Sequence, residues 1–225
     1  MNISYAITVH NEHFEFKRLT NLLLKYLGPN DEIVILQDIQ SDINIEEMDF
    51  ETVETLKHIA VLTNDPNVCL RIKYRKIKFD GDFSKLKNTL ISLCKNEYIF
   101  HFDADEYPNE NLLINLKEQI IQANPSCEMF WVPRINTVKG ITKRHIAMWG
   151  WNVNDKGWIN YPDYQQRLWK NVPNIQFTGK VHERLIGANT FMILPAFEIY
   201  SIYHPKDIKK QESQNKLYSQ LQETK

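Results

Sequence analysis

Cysteine is scarce in this sequence of 225 residues: Cys69, Cys94 and Cys127 are odd in number, far apart and in no Cys-x-x-Cys pair. That spacing argues against a disulfide framework or a structural zinc site and fits a reducing, cytoplasmic setting. Long apolar runs are missing as well. Nowhere do roughly 18 apolar residues follow one another, which excludes a membrane-spanning helix and leaves only peripheral attachment open. Met1 leads directly into the apolar stretch Ile3 to Val9 without a basic leader or a small-residue cleavage site, so no secretion signal is expected. Neither charge is in surplus. The 27 Lys and Arg against 28 Asp and Glu give a net charge of -1, with no basic field to recruit nucleic acid and no acidic tail. No internal repeat or low-complexity linker divides the chain, and its length suits one α/β domain with a sizeable core better than two.

What is present is an alternation of β and α periodicities. Ile3, Tyr5, Ile7 and Val9 make a short strand; Phe16, Leu19, Leu22, Leu23 and Tyr26 recur at helical spacing from about Glu12 to a stop at Gly28-Pro29. Glu32 to Leu36 is a strand ending in Gln37-Asp38, and an amphipathic helix covers Phe50 to Leu62. The stretch Arg71 to Phe79 reads as strand, Phe83 to Lys95 as helix, Tyr98 to Phe102 as strand, and a helix opened by Pro108-Asn109 runs to about Ala123. This half, residues 1–124, predicts a Rossmann-like, mainly parallel sheet flanked by helices. After Cys127 the texture changes to short aromatic runs: Met129 to Ile135, Tyr164 to Trp169, Ile175 to Phe177, Val181 to Ile186 and Phe197 to Tyr203. These predict a mixed sheet with long functional loops over 125–204, followed by a polar surface helix over 205–225.

The chemistry centres on Asp103-Ala104-Asp105-Glu106, where a buried strand reaches the C-terminal edge at which open α/β sheets bind ligands. Two carboxylates one residue apart there can hold a divalent cation that bridges a diphosphate; the plainer reading is an acidic loop after a strand. Asp38, at the end of the second strand, suits a ribose or base, or is a solvated turn residue. Arg167 lies among aromatics in Tyr161-Pro162-Asp163-Tyr164-Gln165-Gln166-Arg167-Leu168-Trp169, placed for a phosphate or a sugar face. His182 and Glu183 follow the turn glycine Gly179 and offer a metal ligand beside a proton acceptor, with His204 a further candidate ligand. Each histidine has the alternative of a hydrogen-bonded structural role.

In order along the chain these motifs resemble the family 2 glycosyltransferases of the GT-A fold, especially the small bacterial branch that includes lipopolysaccharide core β-glucosyltransferases. Thr8-Val9-His10-Asn11-Glu12 resembles the opening strand with its Asn-Glu, and Ile33 to Asp38 the strand ending in the nucleotide-binding Asp. Phe83 to Asn88 resembles the Phe-x-x-x-Lys/Arg-Asn helix start, and Phe102 to Glu106 the Asp-Ala-Asp-Glu metal motif. Tyr161 to Trp169 and Val181-His182-Glu183 resemble the two most specific segments. After Asp38 the family continues Ser-Gly-Ser-Thr-Asp, whereas this chain has Ile39-Gln40-Ser41-Asp42.

The resemblance implies an inverting, metal-dependent enzyme that moves a sugar from a UDP-, GDP- or dTDP-sugar to a hydroxyl of a glycan or glycolipid acceptor, at the inner face of a membrane or in the cytoplasm. Thr8, Val9, Glu12, Asp38, Lys87, Asp103, Ala104, Asp105 and Arg167 would bind the donor. Asp105, Asp103, His182 and His204 would hold Mn²⁺ or Mg²⁺. Glu183 is the expected base and Asp163 the reserve. Trp149, Trp151 and Trp158 suit a sugar-stacking platform, a lid, or packing under a long loop. Two rival readings use part of this pattern. A haloacid-dehalogenase-like phosphatase would want Thr or Val where Tyr107 stands and its Asp-x-Asp near the N-terminus, and a non-catalytic sugar or nucleotide module would not need the acidic pair together with His182-Glu183.

Overall fold

The computed structural model describes residues 1–39 and 48–223, with side chains through Lys216. Strand and helix alternate through the first half as the periodicity predicts. β1 (Ile3–Val9), α1 (His13–Tyr26), β2 (Glu32–Asp38), α2 (Phe50–Asn64), β3 (Ile72–Ile77), α3 (Phe83–Leu93) and β4 (Tyr98–Asp103) come in turn. A two-residue β5 (Tyr107–Pro108) leads to α4 (Glu110–Asn115), which continues as a π-helical segment over Leu116–Gln122. Short polar residues start these helices: Asp49 accepts the Thr52 amide at α2, Asp82 the Lys85 amide at α3, and Asn109 the Asn111 amide at α4. Of the family departure after Asp38, Gln40 to Asp42 lie outside the described residues.

The second half contains β6 (Met129–Lys139), α5 (Lys143–Trp149), β7 (Ile159–Lys170), β8 (Gln176–Thr178), β9 (Arg184–Ile186), β10 (Phe191–Ile193), β11 (Ile202–Asp207) and α6 (Ile208–Glu223). Several expectations need correction here. The strand expected over Val181 to Ile186 is confined to β9, because Gly179 (φ +98°) and His182 (φ +56°) turn the chain before it. Phe197 to Tyr203 is a 3-10 turn over Glu198–Tyr200 and then β11, and the terminal helix starts at Ile208 rather than Pro205. Pro205 stays in the ladder opposite Thr137 of β6, which carries the strand past the expected boundary. The tryptophan-rich stretch is partly helical: a Thr142–His145 capping box opens α5 and Gly150 in the left-handed conformation closes it.

Among the described residues the main sheet has the order β3-β2-β1-β4-β7-β6-β11-β5, with β10 also paired to β6. β3, β2, β1 and β4 are parallel, β7 runs antiparallel between β4 and β6, and β6 and β11 are parallel. One sheet therefore spans both halves of the sequence. Alternate side chains of β1 feed two cores. Tyr5 and Ile7 pack with Phe16, Leu19 and Leu23 of α1, Ile59 and Leu62 of α2, and Leu112 and Leu116; on the other face Ala6 meets Leu86 and Leu90 of α3, with Phe177 and Leu185 of the β8–β9 hairpin. With both faces covered, β1, β2 and β4 are apolar nearly throughout, as parallel strands require. Polar groups are displaced to the strand ends.

Candidate active site

At the C-terminal edge of β1 and β4, side chains from five strands, the helix α3 and two turns join in a continuous polar string. Lys87 of α3 and Glu183 of the β8–β9 turn form its first link, Nζ to Oε1 at 2.6 Å, and Lys87 Nζ also lies 3.5 Å from Asp103 Oδ1. Thr8 donates to that same Asp103 oxygen at 2.9 Å. Arg167, brought beside β4 by the antiparallel β7, donates to Asp103 Oδ2 and to Glu106 Oε1, each at 2.6 Å. Arg134 of β6 then joins Glu106 (2.9 Å) to Asp163 (2.7 Å), and Asn136 donates to Asp163 at 2.8 Å. His204 of β11 meets Asn136 Oδ1 at 2.7 Å and turns Nε2 toward Asp105 Oδ2 at 3.5 Å.

Two side-chain amides set the position of Glu183. Asn88 both donates to and accepts from the Phe177 backbone, at 2.9 and 2.8 Å, and Gln166 does the same with the Leu185 backbone, at 2.8 and 2.8 Å. Each acts as one more strand residue would, so the two clamp β8 and β9 of the hairpin whose turn carries Glu183. The Phe83 amide donates to the Lys180 carbonyl and ties the same turn to the start of α3. Gly187 permits the hairpin's return: its φ is +92°, and a Cβ would stand 1.8 Å from the Asn174 carbonyl oxygen.

Burial and charge give the string its electrostatics. Burial would raise the Asp103 carboxyl, but Arg167, Lys87, His101 and Thr8 reverse this and hold it well below the usual range. Burial drives the His101 imidazole well below its ordinary value, with Lys87 and Arg167 adding to the effect. A neutral His101 must accept from Arg167 on Nδ1 (2.7 Å), because a guanidinium only donates. Its proton is then on Nε2, 3.7 Å from Asp103. The same accounting fixes His204. Asn136 has to donate its amide to the Asp163 carboxylate, so its oxygen accepts from His204 Nδ1–H and the Nε2 lone pair faces Asp105. Burial depresses the His204 pKa, only partly offset by Asp105. Nε2 of His204 lies 3.5 Å from Asp105 Oδ2, an oxygen that the Lys210 ammonium also approaches to 3.5 Å.

Among the described residues no group of three or more His, Cys, Asp and Glu is gathered to hold a metal ion. The pair Asp105 and His204 nonetheless fits a divalent ion that draws its remaining ligands from phosphate oxygens and water, and the second nitrogen of His204 is anchored as a metal-bound imidazole's usually is.

The model of glycosyl transferase family 2 matches residues 4–184. The chain belongs to glycosyl transferase family 2. It is 25% identical over 205 residues to the SPbeta prophage-derived glycosyltransferase SunS of Bacillus subtilis (strain 168) and equally to glycosyltransferase SunS of Bacillus phage SPbeta, covering 90% of this chain. It spans 39% of those relatives' length. Among solved structures, S. aureus TarS 1-349 in complex with UDP-GlcNAc superposes with a TM-score of 0.57 at 16% identity, over 92% of this chain and 59% of that one. A second TarS structure gives 0.57 at 14% identity, over 91% and 37%. These likenesses carry the GT-A fold, which the parallel 3-2-1-4 half and the antiparallel β7 reproduce.

Within this family 2 chain the expected donor and catalytic residues divide into three groups. Thr8, Lys87, Asp103, Arg167 and Glu183 are in direct contact, and Asp163, His204 and Asp105 join them through Glu106, Arg134 and Asn136. Glu12 and Asp38 sit on the neighbouring β1–β2 edge. Glu12 accepts the His10 amide, while Asp38 accepts the Phe79 amide (2.9 Å) and lies 3.5 Å from the His10 ring. Val9 and Ala104 are buried in the core. His182 is on the exposed turn beside Glu183, whereas the groups converging on Asp105 are His204, Lys206 and Lys210.

Arg167 is buried beneath the edge with His101, Asp103 and Glu106, so it reaches the edge only through the carboxylates it holds. Asp163 already accepts from Arg134, Asn136 and Gln165, which together overcome burial and lower its pKa, a state suited to positioning more than to proton transfer. The sequence reading missed His101, Glu106, Arg134, Asn136, Lys206 and Lys210. Glu106 stood inside the quoted acidic motif; the others had no local signal.

Proposed function

We propose that this chain transfers a sugar, with inversion, from a nucleotide-sugar donor to a hydroxyl of a glycan or glycolipid acceptor, using Mn²⁺ or Mg²⁺. The observation that carries the reading is the Glu183–Lys87–Asp103 contact at the C-terminal edge of the parallel strands, where α/β sheets take their ligands. TarS has been crystallised with UDP-GlcNAc and with UDP, which supports a donor of this class on the same fold.

In this reading Glu12 and Asp38 frame the nucleoside, and Asp103, fixed by Thr8 and Arg167, borders the diphosphate. Asp105 and His204 hold the divalent ion, which when bound supplies positive charge to the leaving diphosphate. The acceptor oxygen bonds to the anomeric carbon as the bond to the diphosphate oxygen breaks, and the acceptor's proton passes to a Glu183 oxygen. Lys87 lies between Glu183 and Asp103, so it can follow the negative charge as it moves from base to leaving group. Trp149 stacks on His145 with ring centres 5.1 Å apart and Trp151 leans on it at 4.6 Å; these rings and Trp158 offer apolar faces to an acceptor sugar. A glycolipid acceptor would place the chain at a membrane face. No helix among the described residues is long and apolar enough to cross one. The phosphatase alternative needs a free nucleophilic Asp, and both oxygens of Asp103 are engaged.

The test is a thermal-shift and hydrolysis panel of UDP-, GDP- and dTDP-sugars, with and without Mn²⁺ or Mg²⁺, on the wild type and on Asp105→Ala. A metal-dependent rise in Tm with one nucleotide, lost in the variant and accompanied by slow donor hydrolysis, is the expected result. No shift with any donor would sink the reading.

A further inference from the structure

Around Asp105 there is more positive charge than one carboxylate requires. Its Oδ2 faces Lys210 Nζ at 3.5 Å and Lys206 Nζ at 3.9 Å, besides His204. The Lys206 side chain, on β11, is 4% exposed and bonds Gln214 of α6, while its ion pair with Asp105 is no closer than that 3.9 Å. An ammonium is costly to bury without a close anion, so a chain that places one here gains by meeting an anion from outside. Lys210 is different. It lies in the first turn of α6, is about one-third exposed, and also reaches Glu15 of α1 at 3.7 Å. A positive side chain in a first turn opposes the helix dipole, so α6 does not gain its own stability from Lys210. The same turn is held to its strand, since Asp207 accepts the Lys210 amide at 2.9 Å.

We propose that Lys206 and Lys210 are diphosphate-binding residues, and that the Lys210 side chain leaves Asp105 for the diphosphate when the donor enters. The proposal rests on the donor-site reading above and extends it to two residues outside its motifs. A divalent ion and the Lys210 ammonium compete for one carboxylate oxygen and repel each other across it. The diphosphate brings several anionic oxygens to the same place, and an ammonium beside Oδ2 can turn to them with little change of position. Lys206, buried and fixed by Gln214, provides the stationary charge. Lys210 provides the movable one.

The experiment compares UDP, GDP and dTDP with their monophosphates by calorimetry in Mn²⁺, and measures Mn²⁺ binding alone, on the wild type, Lys210→Met, Lys210→Arg and Lys206→Met. Wild-type protein is expected to prefer one diphosphate to its monophosphate. Lys210→Met should weaken that diphosphate about tenfold, leave the monophosphate nearly unchanged, and tighten Mn²⁺ alone; Lys210→Arg should retain the preference. Opposite movements of diphosphate and Mn²⁺ are what a merely structural lysine would not produce. An unchanged diphosphate preference in both Met variants overturns the proposal while leaving the donor site standing, and so does an equal loss of all ligands in Lys210→Met. If the wild type binds no nucleotide of the panel, the donor-site reading itself fails and takes this inference with it.

Discussion

Asp103 and Asp105 are two residues apart in one motif and live in opposite surroundings. Asp103 is held by Thr8 at 2.9 Å and by Arg167 at 2.6 Å, with an imidazole beneath it and Lys87 above. Asp105 is met by His204, Lys206 and Lys210, with no ion-pair contact shorter than 3.5 Å. Both carboxyls are depressed below the usual range, Asp105 because His204 and the two lysines outweigh its burial. A low pKa therefore does not tell an anchored carboxylate from an exchangeable one. Distance and partner type do: bidentate-capable guanidinium and hydroxyl at the first, an imidazole and two ammoniums at 3.5–3.9 Å at the second.

The comparison breaks most visibly at Arg167. Arg167→Met leaves Glu106 and Asp103 facing each other with one guanidinium fewer, and should cost about 3–5 kcal/mol in urea unfolding. A loss below about 1 kcal/mol would mean that Asp103 is no more firmly anchored than Asp105.

The acid limb of the stability curve provides a reference outside both carboxylates. Burial, with Lys17 and His13, lowers His58 from 6.5 to about 4. The unfolded chain binds that proton first, so this contribution is whole above pH 6.5 and is lost as pH falls toward 4. His58→Gln should remove on the order of 2 kcal/mol of the pH dependence in that window, with nucleotide binding unchanged. His101 and His204, also depressed, share the same sign, so the variant should retain part of the slope.

Asn88→Ala removes one of the two clamps on the Glu183 hairpin. The expected cost is about 1–2 kcal/mol of stability, with kcat falling further than KM rises because Glu183, the proposed base, is displaced more than the donor. The smallest stability effect belongs to Asp105→Asn, within about 1 kcal/mol in either direction, since relief of burial offsets three long contacts. Its Mn²⁺-dependent nucleotide binding should nevertheless disappear. A large loss of stability there would erase the distinction from Asp103.

Much of the first half was legible because covered parallel strands leave a strong periodic signal: β1, β2 and β4, their helices, and Asp103 at a strand end all follow from local pattern. Boundaries in the second half were not. Val181, Leu185 and Ile186 suggested one strand over Val181 to Ile186, but the path before β9 is set by a positive φ at His182 and by the clamps from Asn88 and Gln166, residues that are 94 and 16 positions from His182. The capping box of α5 was visible in Thr142 and His145, yet the neighbouring tryptophans drew the reading toward a loop.

By itself the sequence determined the alternation of elements, the two-faced core and the order of motifs that places the chain in glycosyl transferase family 2, because these depend on side-chain periodicity and residue type. Only the tertiary structure decided that Arg167 lies beneath Asp103, that Asp163 orients His204 through Asn136, and that lysines from β11 and α6 reach Asp105. Such pairings depend on strand register across the sheet, and register is fixed by packing between segments that are distant along the chain.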